Sequence, residues 1–189
     1  ASMSGAKCIY KNADGEWTAQ NDLALWLGVN YIGNSGASGA AIVDYGTFAP
    51  PSSGGLGVGT NDEQYRWQSF TAGVTGNISN VKVYVNKKVD TGPALTDLVV
   101  EIYNTEYTQW GENRWYLPTG EALARVGVPV ESIPFNGGTG GYVEADFDVP
   151  VVEGTHYAIA LSQKTLTANG SDGSGEHYRW PTGNVPEAD

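Results

Sequence analysis

The sequence predicts an all-β protein built as an antiparallel sandwich, and three observations lead there. Apolar and polar residues alternate with period two along several segments, the pattern of extended chain with one buried and one wet face. Between those segments lie clusters of Gly, Asn, Asp and Ser, with 26 glycines in 189 residues. The segments themselves are rich in Tyr, Thr, Val and Trp, and only 16% of the chain is charged, so little helix is expected.

Each element follows in chain order. Residues 1–6, opening Ala1, Ser2, Met3, read as an expression scar. Residues 7–11 and 22–29 read as short strands around a turn at Asn12, Ala13, Asp14 and Gly15, with Leu23, Leu25 and Leu27 facing one way. These strands, within 7–30, are expected to close the sandwich or to belong to a preceding repeat. Residues 31–61, rich in Gly and Ser, read as a linker holding at most one strand, at 41–45.

The main sandwich is expected over 62–189. A strand at 65–71 is followed by one at 78–85, where Val81, Val83 and Val85 alternate with Lys82 and Tyr84. Leu98, Val100 and Ile102 alternate with Val99, Glu101 and Tyr103; Val143, Ala145 and Phe147 alternate with Glu144, Asp146 and Asp148. Tyr157, Ile159 and Leu161 repeat the pattern against Ala158 and Ala160. Pro129, Pro134 and Pro150 fall between or at the ends of these runs, where a missing amide donor costs a ladder nothing.

Charge narrows the partners. With 21 acidic and 10 basic residues the net charge is −11, and the scattered Lys and Arg form no phosphate-binding footprint, which argues against nucleic acid. No run of 18 apolar residues is present, so no membrane insertion is expected. Cys8 is the single cysteine, so no disulfide staples the fold from within.

Several motifs carry a resemblance. These are QSFT at 68–71, G-x-I-x-x-V-x-V-Y-V from Gly76, TDLVVEIY at 96–103, PTGEALA from Pro118 and THYAIALS at 155–162. In that order, across 65–181, they resemble the tandem jelly-roll modules, carbohydrate-binding-module-like, of bacterial and archaeal surface proteins, anchored extracellular proteins and phage structural proteins. The resemblance implies a jelly-roll-like sandwich on the outside of a cell or virion. In that family a segment like DGEWTAQNDLAL closes a module, whereas here it stands near the start, at 14–25. The fragment is therefore expected to be out of phase with its repeat or permuted, with 7–30 packing beside the strand around Tyr178 and Trp180. If 7–30 reached a neighbouring molecule instead, a strand-swapped dimer would follow.

Chemistry is sparse. Glu144, Asp146 and Asp148 share one face of a strand, the signature of a wet sheet face rather than of a catalytic carboxylate pair. His156 and His177 lack metal-ligand spacing, and no G-x-S-x-G elbow occurs, so no catalytic residues are assigned and no enzyme is expected. Structural calcium is the one cofactor the loops suggest, with Asp14, Asp90, Asp97, Asp172 and Glu176 as candidate ligands in ordinary turn sequences.

Sugar recognition needs aromatic faces beside hydrogen-bonding side chains, because a glycan is both apolar on its C–H faces and rich in hydroxyls. The run YTQWGENRWYLP at 107–118 supplies both. Tyr107, Trp110, Asn113, Arg114, Trp115 and Tyr116 are the candidate ligand-binding residues, on a loop too polar for a core strand. The alternative is that the aromatics form a hairpin or fold back over the sandwich edge. Trp26, Tyr84 and Tyr103 could form a platform on one sheet face or pack under a second layer, while Trp67 and Trp180 read as packing residues. The expected function is a non-catalytic extracellular binding or adhesion module recognising a polysaccharide or cell-surface glycan. The alternatives are a structural spacer repeat joined to neighbouring repeats, and a hydrolase fragment.

Overall fold

The computed structural model describes the backbone of residues 8–11, 17–20, 24–25, 27–33, 42–45, 55–58, 66–88, 96–110, 113–133, 141–163 and 177–183, and the side chains of 29–31, 66–85, 96–109, 116–133, 141–163 and Tyr178. The strands are β1 (Cys8–Lys11), β2 (Trp17–Gln20), β3 (Ala24–Leu25), β4 (Leu27–Gly33), β5 (Ile42–Tyr45), β6 (Gly55–Val58), β7 (Arg66–Thr71) and β8 (Gly76–Lys88). They continue with β9 (Leu98–Trp110), β10 (Asn113–Val128), β11 (Gly141–Val151), β12 (His156–Gln163) and β13 (His177–Gly183). The one helical element among the described residues is a 3-10 turn at Val130–Ser132.

Two antiparallel sheets pack face to face. One has the order β10-β9-β12-β7-β1-β2; the other runs β3-β13-β8-β4-β5, with β11 along β8 and β6 along β13. From β7 to β13 the chain changes sheet at every connection except the β9–β10 hairpin, the crossing pattern of a jelly-roll-like sandwich.

Alternation explains the core. Val100 and Leu98 of β9, Ile159 and Leu161 of β12, Val83 and Val85 of β8, and Val143 and Ala145 of β11 bury every second side chain in one cluster. On β8 the phase changes once: Ile78 and Val81 both face inward, although an odd spacing should set them apart. Ser79 absorbs the extra residue as a bulge, shown by the register shift against β4 between Asn30 and Tyr31. Tyr178 of β13 closes the interior, fully buried, with its hydroxyl donating to the Thr96 carbonyl at 2.7 Å. Burial, followed by the nearby charges of Asp97 and Glu131, pushes its phenol well above the ordinary value.

Two expectations change at this level. β1 pairs with β2, Lys11 standing opposite Trp17, rather than with a strand at 22–29; residues 12–15 lie outside the described residues. The segment 31–61 carries β5 and also a second strand, β6, because Leu56 and Val58 find an unfilled edge on β13. Residues 7–30 complete the sandwich as expected, with β3 beside β13, and they also reach further, β1 pairing with β7 and β4 with β8, so the segment contributes to both sheets. Pro150 falls at the end of β11, as expected, opposite Asn77, and β11 tolerates it because its described pairing is with β8 alone. Pro134 lies outside the described residues.

Ile159 sits at the centre of the six-stranded sheet, with no exposed surface and neighbours on both sides. Ile159→Ala is expected to lower stability by ~2–5 kcal/mol through lost transfer energy and an unfilled cavity. Chemical denaturation of the two proteins measures the difference, and a loss well under 1 kcal/mol would place Ile159 outside the core.

Candidate functional site

The inward row on β9 ends at Ile102; Asn104 and Glu106, which continue its parity, are exposed. Strands β9 and β10 nevertheless stay paired, from Thr105 opposite Pro118 to Trp110 opposite Asn113. The stretch expected as a loop is therefore a β-hairpin that extends past the sandwich. Its Tyr, Thr, Trp and Gln residues suit extended chain, and its polarity reflects the lack of a core beneath it. Between Thr119 and Ala124 the register shifts, and Gly120 takes φ +70° there, a left-handed conformation suited to glycine.

Register divides the expected ligand-binding residues between the two faces of the hairpin. Positions 107, 114 and 116 share one face, and positions 110, 113 and 115 the other. The side chains of Trp110, Asn113, Arg114 and Trp115 lie outside the described residues. Those of Tyr107 and Tyr116 are directly opposite one another, edge to face, with ring centroids 5.6 Å apart and an interplanar angle of 64°.

The Tyr116 ring also stacks on the His156 imidazole, at 3.5 Å between centroids and 17° between planes. His156 opens β12 and pairs across to Thr71 of β7, whose Oγ1 lies 3.0 Å from Nδ1. Thr105 Oγ1 donates to the His156 carbonyl at 2.8 Å, tying β9 to the same point. Backbone bonds from Ala72 to Thr155 and from Gly154 to Ala72, at 2.9 and 2.8 Å, brace the turns on either side. The result is a row of rings at one end of the six-stranded sheet, fixed at Tyr116 and His156 and open at Tyr107, which is 51% exposed.

The sequence gives His156 no metal-ligand spacing and hence no role, and its place in this cluster is the feature that spacing does not reveal. The available signal was its parity: it stands two residues before Ala158, on the face away from Tyr157 and Ile159. The geometry also places a hydroxyl beside an imidazole nitrogen, yet no carboxylate among the described residues bonds the ring to orient it as a general base.

A second aromatic pair lies on the other sheet. Tyr84 and Tyr142 meet edge to face at 5.0 Å, and Lys82 reaches over Tyr142 at 5.2 Å while pairing with Glu144 at 2.9 Å. Asn80 bridges this strip, donating to Asp146 and accepting from Asn30. Tyr84 and Tyr103 therefore stand on different sheets and make no common platform; Trp26 and the Trp180 side chain lie outside the described residues. Trp67, as expected, packs, in a small outer-face cluster with Ala158, Ala160, Tyr103 and Leu117.

Of the calcium candidates, Asp97 is described, and its Oδ1 accepts the Val130 amide at 3.3 Å. Asp14, Asp90, Asp172 and Glu176 lie outside the described residues. Among the described residues no three His, Cys, Asp or Glu side chains gather to hold a metal ion, and no helix is long and apolar enough to cross a membrane. No protein-family model matches the chain, and neither a curated protein nor a solved structure does.

Partial burial lowers the His156 pKa below its ordinary 6.5. The fold thus favours the neutral ring, an advantage complete above about pH 6.5 and lost as pH falls through the folded value. Between pH 8 and 5 the wild type is expected to lose more thermal stability than His156→Gln, which removes this titration. Parallel melting curves for the two proteins would contradict a buried, stacked imidazole.

Proposed function

We propose that the chain is a non-catalytic extracellular module that binds a polysaccharide or cell-surface glycan at the hairpin end of the six-stranded sheet. One observation carries the reading: an exposed tyrosine, Tyr107, is held edge-on by Tyr116, which is itself pinned against His156. An aromatic ring fixed before the ligand arrives loses little entropy on binding, and stacking on sugar C–H faces is what such a ring does well. Trp110 and Trp115, at positions on the opposite face of the same hairpin by register, are the other aromatic residues the reading assigns to the ligand. The resemblance to surface jelly-roll modules points the same way and supports the extracellular setting, without identifying the sugar.

A spacer repeat is the second reading, favoured by the outer strip of the other sheet. There Lys82 and Glu144, and Asn80 with Asp146 and Asn30, satisfy each other across strands. A face so self-contained suits a structural element in a surface filament or virion, flanked by neighbouring repeats.

Glycan-array binding separates the two. The wild type is expected to bind a defined set of glycans, with at least a tenfold loss for Tyr107→Ala and a measurable loss for Trp110→Ala or Trp115→Ala, all in folded proteins. Silence of the folded wild type across the array would favour the spacer.

A further inference from the structure

We propose that the cluster takes a neutral sugar ring against Tyr107 and that His156 is its hydrogen-bonding residue, presenting Nε2 to a sugar hydroxyl. The inference rests on the glycan-binding reading and adds to it a residue and a ligand class.

The surroundings of the imidazole leave one atom for a ligand. Tyr116 covers one ring face, Thr71 engages Nδ1, and Thr105 holds the backbone carbonyl. Among the described residues Nε2 carries no hydrogen bond or ion pair. A neutral imidazole offers at that atom either a donor N–H or an acceptor lone pair, according to its tautomer. A sugar hydroxyl answers both, so the choice of tautomer does not decide the outcome.

Charge selects a neutral ligand. The ionisable groups on His156's own strand and the elements packed around it are Tyr157 on β12; Arg66 on β7; Glu101, Tyr103, Glu106 and Tyr107 on β9; Arg114, Tyr116, Glu121 and Arg125 on β10; and Glu153 in the preceding turn. Arg125 is committed to Glu101, its Nε 2.6 Å from Oε1. Arg66 is buried, as are the residues that alternate with His156 on the core side of β7 and β12. The Arg114 side chain lies outside the described residues. No described cation stands free at the cluster, while Glu153 is exposed in the turn just before His156 on a chain of net charge −11; Glu106, also exposed, stands on the opposite face of β9. An anionic glycan would meet repulsion there.

A neutral ligand also fixes the direction of pH dependence. A sugar settling over the ring displaces water, which costs an imidazolium far more than an imidazole. Binding and protonation therefore oppose each other, and affinity falls as the ring titrates. An acidic sugar would reverse the sign, since the imidazolium would attract it.

The test is an array carrying neutral gluco-, manno- and galacto-oligosaccharides beside sialylated, uronic and sulfated ones. It is probed at pH 7.5 and 5.5 with wild type, His156→Gln, His156→Phe and Tyr107→Ala, each shown to be folded by circular dichroism. Wild type is expected to bind neutral glycans several-fold more weakly at pH 5.5, with ~10-fold per pH unit as the ceiling for one titrating group. His156→Gln should show no such dependence. His156→Phe retains a stacking ring but lacks Nε2, and should bind about fivefold more weakly at pH 7.5. Equal binding at both pH values, with His156→Phe matching wild type and Tyr107→Ala still defective, would overturn the role of His156 and leave the glycan reading standing. Binding confined to acidic glycans and strengthened by acid would overturn the ligand class. Silence of the wild type at both pH values would overturn both readings together.

Discussion

An extended chain sends alternate side chains to opposite faces, and the whole molecule is arranged around that constraint. Where the inward row is apolar, as at Val83, Val100 and Ile159, the sheets close on it. Where the row turns polar, after Ile102 on β9, the core stops but the hydrogen-bonded ladder does not. The hairpin beyond that point has no interior to bury against, and an isolated two-stranded ribbon is at best marginal in water. Its anchors are the Tyr116 stack on His156 and the Thr105 bond to the His156 carbonyl, both made to the first residue of β12. The same two contacts that steady the hairpin place Tyr107 at the open end of the ring row.

The outer faces of the two sheets have become different surfaces. On the seven-stranded sheet the outward positions of β8 and β11 form a wet ladder of Lys82 with Glu144 and Asn80 with Asp146. On the six-stranded sheet the outward residues Trp67 of β7 and Ala158 and Ala160 of β12 are buried in a small cluster of their own. Glu101 belongs to that second surface and is wholly buried, with Oε1 held by Arg125 and Oε2 without a hydrogen-bond partner among the described residues. A carboxylate kept so deep depends on its guanidinium, because removing one partner of a buried pair leaves an uncompensated charge.

Much of the fold was legible because its signal is local. Val81, Val83 and Val85, or Tyr157, Ile159 and Leu161, declare their faces by spacing alone, and all lie where alternation puts them. What was not legible depends on partners distant in sequence. The bulge at Ser79 appears only once Asn30 of β4 is alongside, and β6 is a strand because β13 offers it an edge. Glu101 alternates with Val100 like any wet residue, and nothing near it in sequence announces Arg125, the partner that it meets across the strands. The hairpin at 107–118 read as a loop because period two was masked: without a core neither face need be apolar. Of the site, Tyr107 and Tyr116 were visible as aromatics in a polar run. His156 was not, since nothing near it in sequence announces the Tyr116 ring that reaches it across the sheet.

The central claim is that the hairpin is held by one ring against another, and proton NMR reads that contact directly. The stack predicts upfield-shifted imidazole protons for His156 and nuclear Overhauser contacts between them and the Tyr116 ring. Imidazole shifts at random-coil values, with no such contacts in a protein whose core resonances are well dispersed, would contradict it.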